Sequence, residues 1–426
     1  MAYVGGGSTR APGTAGCFAR REDLAGSEIV LIDLDPERLG VVRRIAQRIA
    51  DARGLEMTFT ATTDRRAGLA GCDAVLTSYR PGGFEMRVLD ERMPLQFGVA
   101  GQETHGPGGF FMALRSLAVM REIVADMEAV CPGARLFNYT NPVNVLAQAV
   151  SSFTDVPVAS FCDGPIGYPR LAAELAGLDP GRLETASIGL NHASWSIHHT
   201  YDGADAIPLL VDGWRERRHD QSVWPEGRRM MELIEPAGSI PSLYFQYYYF
   251  HEEVLAEQRG KPTTRAEDII RESPRYWAHY VEQAAAEEPQ LDPARSREGI
   301  EELELAIVAM AAVFNDGRAE MPLNVPNNGA VPGFPDDLVV EAPGVVSGEG
   351  PRLLPQPGLP RHLRGLVESL AEFQVLAADA GWNGGRRDAE RALAAHPLVL
   401  SFEKARAIYA AMAAAQADYL PQRLRV

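Results

Sequence analysis

Cysteine is scarce in this chain of 426 residues: Cys17, Cys72, Cys131 and Cys162 are scattered without C-x-x-C spacing. That pattern fits reduced thiols rather than a disulfide framework. Long apolar runs are missing too; none reaches the roughly 18 residues of a membrane-spanning helix. The N-terminus also lacks the basic-then-apolar order of a signal peptide, so a cytoplasmic protein is expected. Positive charge is in short supply, with 41 Lys and Arg against 57 Asp and Glu and a net charge of -16. A nucleic-acid or anionic-membrane partner needs the opposite balance, whereas one local cationic pocket for a small anionic substrate remains compatible with it. Neither an internal repeat nor a low-complexity linker is present. What remains is an ordinary globular mix, 46% hydrophobic and 23% charged, long enough for two or three domains.

The first half alternates apolar strand patterns with helical ones. Ala2-Tyr3-Val4 runs into Gly5-Gly6-Gly7-Ser8-Thr9, a glycine-rich turn that lets backbone N–H groups approach a pyrophosphate at a helix N-terminus. Arg10 stands where the third glycine of G-x-G-x-x-G would be. Ile29 to Ile32 is a second strand ending at Asp33, placed to bind the ribose hydroxyls of NAD, while Asp35 before Pro36 is the helix cap. Further strands are expected at Met57–Thr62, Ala74–Ser78 and Arg135–Tyr139, and helices at Arg65–Ala70 and Phe110–Val130. Arg80, in the break Tyr79 to Gly83, is a candidate anion contact, although a solvated surface arginine would look the same locally. Asn138 and Asn141 can hydrogen-bond a cofactor ribose or substrate hydroxyls. This order of elements predicts an α/β fold: a Rossmann-type parallel-sheet domain over 1–190 and a mixed α+β domain for substrate binding and oligomerisation over 191–426, on the lactate/malate dehydrogenase plan.

The densest chemistry lies between Ser160 and Trp195. Cys162-Asp163-Gly164 and Asn191-His192 each follow an apolar run, Val156–Phe161 and Ala186–Leu190, and so fall at C-terminal strand ends, where open α/β sheets bind ligands. A thiol, a carboxylate and an imidazole there can form a metal or acid/base site, though a buried Cys and a hydrogen-bonded core His are common. Beyond Trp195 the alternation fades. The aromatic run Tyr244 to Phe250 has the composition of core or subunit interface, Arg297–Phe314 is a strong helix, and Pro322–Pro360 has prolines and glycines enough for only short strands and turns.

Taken together, Gly5 to Thr9, Arg80 to Gly83, Gly101-Gln102-Glu103-Thr104, Asn138 to Pro142, Cys162 to Gly167, Gly189 to His192 and Asn324 to Gly329 resemble glycoside hydrolase family 4, in collinear order over nearly the whole chain. Most of the resemblance is to the 6-phospho-glucosidase branch. It implies an NAD-dependent reaction rather than the usual pair of carboxylates. C3 is oxidised, the acidified C2 proton is removed, the C1 group is eliminated, water adds, and the hydride returns. It further implies a divalent metal, usually manganese, on Cys162 and His192, a cofactor site at Gly5, Gly7, Ser8, Thr9, Asp33, Asn138 and Asn141, and substrate contacts at Arg80, Glu103, Asn141 and Asn191. Asp163, as general acid, favours an α-linked substrate.

Two positions depart from the family pattern. Glu302 falls where the family's basic Tyr is expected, so the base is either Glu302 or a tyrosine from Tyr244 to Tyr249. The segment from Asn324 to Gly329 lacks the basic residue that some members place there, which suits a monoanion and brings the related NAD-dependent sulfoquinovosidases, acting on α-linked 6-sulfo-glucosides, into view. A plain NAD-dependent dehydrogenase and a non-catalytic NAD- or sugar-binding relative are the competing readings. A homodimer or homotetramer is expected.

Overall fold

Short apolar runs closed by a polar residue become parallel strands. In the computed structural model, which describes residues 1–297 and 303–426, these are β1 (Ala2–Val4), β2 (Glu28–Ile32), β3 (Thr58–Thr62), β4 (Ala74–Thr77), β5 (Arg135–Asn138) and β6 (Val158–Ser160). They lie in the order β3-β2-β1-β4-β5-β6, every neighbouring pair parallel. Between them run α1 (Ala11–Phe18), α2 (Pro36–Ala52), α3 (Arg65–Leu69), α4 (Gly83–Arg92), α5 (Gly106–Val130) and α6 (Val143–Phe153). Alternation along the strands sends Tyr3, Ile29 and Leu31 into one core with α1 and α2, and Ala2, Val4 and Val75 into another with α5 and α6. Asp35 caps α2, accepting from the Glu37 and Arg38 backbone at 3.0 Å each, which leaves Asp33 outside the helix.

The sheet does not stop at β6. After α7 (Gly164–Ala176) come the antiparallel strands β7 (Leu183–Leu190) and β8 (Ala193–Tyr201) and the short β9 (Ala204–Asp205). The helices α8 (Ile207–Arg217) and α9 (Pro225–Ala237) pack with α7 in a third core. Then follow α10 (Gln246–Tyr249), α11 (His251–Gly260), α12 (Arg265–Ala285) and α13 (Glu304–Phe314). The described part of the expected Arg297–Phe314 helix is thus α13, and Glu302 lies outside the described residues.

The segment with too much proline for more than short strands instead forms β10 (Arg318–Pro326) and β11 (Val339–Ser347), nine residues each, with β12 (Gly350–Leu353) beside them. Pro322 sits directly opposite Pro343 in the antiparallel register. Alternate antiparallel pairs exchange no N–H···O bond, so two prolines facing each other cost the ladder nothing. β10 docks on β6 through Asn324 and Ser160, and β11 on β7 through Glu341 and Gly189, giving one sheet in which residue 190 ends β7 just before its turn into β8. The last helices, α14 (Arg361–Trp382), α15 (Arg386–Ala395) and α16 (Phe402–Ala415), fold back into the core of α5 and α6.

Candidate active site

The glycine-rich turn is built by close approach. Gly5 has φ +103°, and a Cβ there would lie 2.0 Å from the Ser78 carbonyl oxygen. A Cβ on Gly7 would lie 3.0 Å from the Asp33 carboxyl carbon, and the Gly7 N–H donates to Asp33 Oδ2 at 2.8 Å. The turn thus opens onto a cavity of about 1080 Å³ reaching from Asp33, Arg38 and Trp277 to Arg80, Asn141 and Arg297. That is at the upper end of ligand pockets, ~300–1,000 Å³. Gly5, Gly7, Ser8, Thr9, Asp33 and Asn141 all line it. Asn138 does not. Its Oδ1 accepts from Thr77 Oγ1 and the Thr140 N–H at 2.9 Å each, and its Nδ2 donates to Ser160 Oγ at 2.9 Å. Its amide is spent tying strands together, which corrects the cofactor role read from sequence.

The near end of the cavity is cationic. Arg80 is no surface residue: its Nη1 lies 2.5 Å from Glu103, whose other oxygen is 2.9 Å from Arg87. Arg80 and Arg297 both lie over the Phe84 ring, at 5.5 and 4.7 Å, and Arg297 Nη1 donates to Thr9 Oγ1 at 3.0 Å. Burial pushes the Glu103 carboxyl up, but the charges of Arg80, Arg87, Arg10 and Arg297 outweigh it and bring the group down to about 2. Arg10 and Arg297 therefore belong to the pocket, although sequence reading assigned them nothing. The one available signal was Arg10 displacing a glycine. Ser8 Oγ is buried here without a hydrogen-bond partner.

Glu103 connects this pocket to the motif residues, since its charge also acts on His192 and Tyr244. His192 occupies the two-residue β7–β8 turn at φ +62°, a strained value for a residue with a Cβ, and Ser242 Oγ holds its carbonyl at 2.9 Å. Thr104 Oγ1 bonds its Nδ1 at 2.9 Å, leaving Nε2 for another partner. The Tyr244 ring stacks on the imidazole with centroids 3.9 Å apart. The aromatic run is thus part of the site and not only core. Cys162 lies near Tyr244, Tyr168 and Glu341, and burial, with Glu341 adding to it, pushes the thiol up to about 12. Asp163 Oδ1 accepts at 3.2 Å from the hydroxyl of Tyr139, a residue that lines the cavity; Asp163 itself is not among the lining residues. Asn191, expected on the substrate, donates its Nδ2 to Glu341 Oε1 at 3.0 Å and keeps a buried, unpartnered Oδ1.

No group of three or more His, Cys, Asp or Glu side chains fit to hold a metal occurs among the described residues. A cation here would rest on Cys162 and His192 alone and fill its remaining positions from substrate, as an open catalytic site requires. A thiol and an imidazole whose Nδ1 is held by Thr104, leaving Nε2 for the cation, fit that role.

Three buried histidines make the metal-free protein acid-sensitive. Burial pushes His192 down to about 4, His396 to about 3, and His105 well below its ordinary value. Each stays neutral in the fold and takes a proton on unfolding below pH ~6.5, so stability is lost as pH falls through that value. Glu341, raised by burial to about 7 from 4.5, works in the opposite sense between those values and offsets only part of the effect of the three histidines. The melting temperature should therefore fall between pH 6.5 and 4.5; a flat scanning-calorimetry profile there would contradict neutral histidines.

Fold and site define an α/β enzyme of the dinucleotide-binding kind, with its ligand cleft outside the carboxyl ends of the parallel strands. The chain belongs to glycosyl hydrolase family 4: residues 1–178 match the family 4 glycosyl hydrolase model and 187–399 that family's C-terminal domain. It is 32% identical over 429 residues to a probable 6-phospho-β-glucosidase of Bacillus subtilis (strain 168), covering 98% of this chain and 96% of that one. A 6-phospho-α-glucosidase from gut microorganisms, solved in complex with NAD and Mn2+, is 26% identical with a TM-score of 0.86, covering 99% and 98% of the two chains. The fold alone extends to a lactate dehydrogenase from Eimeria maxima, at 17% identity and a TM-score of 0.52 over 89% of this chain and 96% of that one.

Proposed function

We propose that the chain is an NAD- and manganese-dependent glycosidase of an α-linked 6-phospho-glucoside. The observation that carries this reading is the juxtaposition, through Glu103, of an arginine pocket with Tyr244 stacked on His192. NAD would be held by the Gly5–Thr9 turn, Asp33 and Asn141, and the cation by Cys162 and His192. When bound, the first supplies reversible hydride transfer at C3 and the second Lewis-acid polarisation of the C2 and C3 oxygens.

The chain's own residues do the rest. Arg10, Arg80, Arg297 and Ser8 hold the C6 anion. Three guanidiniums suit a phosphate of charge near -2 better than a sulfonate monoanion, which reverses the inference drawn from Asn324 to Gly329. Tyr244 takes the C2 proton. Asp163, steadied by Tyr139, gives a proton to the departing C1 oxygen. The relatives include enzymes named for both anomers, and Asp163 is the residue that favours α.

With NAD and Mn2+ supplied, nitrophenyl 6-phospho-α-glucoside should be hydrolysed faster than its β anomer or its 6-sulfonate analogue. In D2O the released sugar should carry deuterium at C2. Hydrolysis without that label would sink the proton-abstraction mechanism, and faster turnover of the sulfonate would replace phosphate as the C6 group.

A further inference from the structure

A row of polar side chains crosses the join between the two halves of the sheet. Thr77, Asn138, Ser160, Asn324 and Glu341 stand in register on β4, β5, β6, β10 and β11. None is more than 1% exposed. The row ends at a carboxylate. Glu341 Oε1 accepts from Asn191 Nδ2 at 3.0 Å and Asn324 Nδ2 at 3.1 Å, and Oε2 accepts from Ser194 Oγ at 3.0 Å. Among the described residues it makes no ion pair. A buried carboxylate without a countercharge costs stability, so its retention needs a reason outside packing.

The three donors supply that reason. An amide that donates through Nδ2 has its orientation fixed, and Asn191 and Asn324 accordingly turn their Oδ1 atoms away, both buried and both unpartnered. Glu341 also pairs with Gly189 in the β11–β7 register, two residues before Asn191. Asn191 is therefore tied to Glu341 and directly precedes His192 in the β7–β8 turn.

We propose that Glu341 is a positioning residue: by clamping the Asn191 and Asn324 amides it fixes the β7–β8 turn and so sets the orientation in which His192, with Cys162, receives a divalent cation. The inference rests on the proposed reading that these two residues hold the cation. Partners in the outer shell of a metal site act in this way, and losing one costs about 10–100-fold in affinity. Orientation rather than charge is the operative property. A glutamine could accept from both asparagines through its carbonyl and donate to the Ser194 hydroxyl, which can turn to accept.

Mn2+ binding to the NAD-free protein, followed by electron paramagnetic resonance together with the melting temperature, tests this without any turnover. Glu341→Gln should bind Mn2+ within about 3-fold of the parent, and Glu341→Met and Asn191→Leu each at least 10-fold more weakly. The Glu341→Met/Asn191→Leu double variant should be no worse than the weaker single. Ser194→Ala removes a Glu341 hydrogen bond away from the amides and should lower the melting temperature while leaving Mn2+ affinity unchanged. Additive losses in the double variant, or parental Mn2+ affinity in folded Asn191→Leu, would overturn the clamp even if Glu341→Met fails to fold. Parental Mn2+ affinity in Cys162→Ser would instead remove the metal assignment beneath it.

Discussion

Replacing Tyr244 by phenylalanine should lower kcat by about 10²–10⁴-fold, the range expected for loss of a positioned general base. KM and the melting temperature should change little, because the ring keeps its stack on His192 and only the hydroxyl is lost. Burial, joined by the negative charge of Glu103, pushes this phenol above its ordinary value, so it needs a cation beside it to give up its proton near neutral pH. Cys162 and His192 are where that cation would sit, which makes the tyrosine and the metal one functional unit. The Tyr244→Phe enzyme should accordingly also lose exchange of solvent deuterium into C2. Glu302→Gln supplies the contrast. If that change abolishes turnover and Tyr244→Phe does not, the proton is taken by the glutamate.

The sheet of the first half is legible because its information is local: each strand is a short apolar run, and Asp35 and Pro36 announce a helix start at the residue where one begins. Asp33, Cys162, Asp163 and His192 were legible for the same reason, as polar residues ending such runs. The site's other half is assembled by pairings between distant segments. Arg297 meets Thr9, Glu341 meets Asn191, and Tyr244 meets His192, each across 50 or more residues of chain, and no periodicity encodes which partner a side chain will find. The prolines of β10 and β11 misled for a physical reason, since they fall opposite one another where the ladder needs no donor. Asn138 misled because an amide that could serve a ligand serves Thr77 and Ser160 equally well.

The largest loss of stability should come from a residue far from the reacting atoms. Arg115 on α5 and Asp90 on α4 form an ion pair with both side chains fully buried, Nη2 to Oδ2 at 2.6 Å and Nη1 to Oδ1 at 3.1 Å. Gln416, just beyond α16, bonds both partners, so the cluster joins three helices from opposite ends of the chain. Arg115→Leu would strand the carboxylate in a site that already pushes it up by burial against the pull of Arg115, at a cost of about 3–5 kcal/mol. The expected result is a clearly lowered urea midpoint with an unchanged slope. The penalty should be smaller at pH 5 than at pH 8, because a carboxyl raised in the fold is stabilised by taking up its proton and loses stability as pH rises. Asp90→Leu/Arg115→Leu, which removes both charges, should recover a substantial part of the loss. A double variant as unstable as the single would mean that the cluster acts through packing. Because Arg115 Nε also donates to the Pro81 carbonyl at 3.4 Å, beside Arg80, the single variant should in addition raise KM for the 6-phospho-glucoside through the arginine pocket.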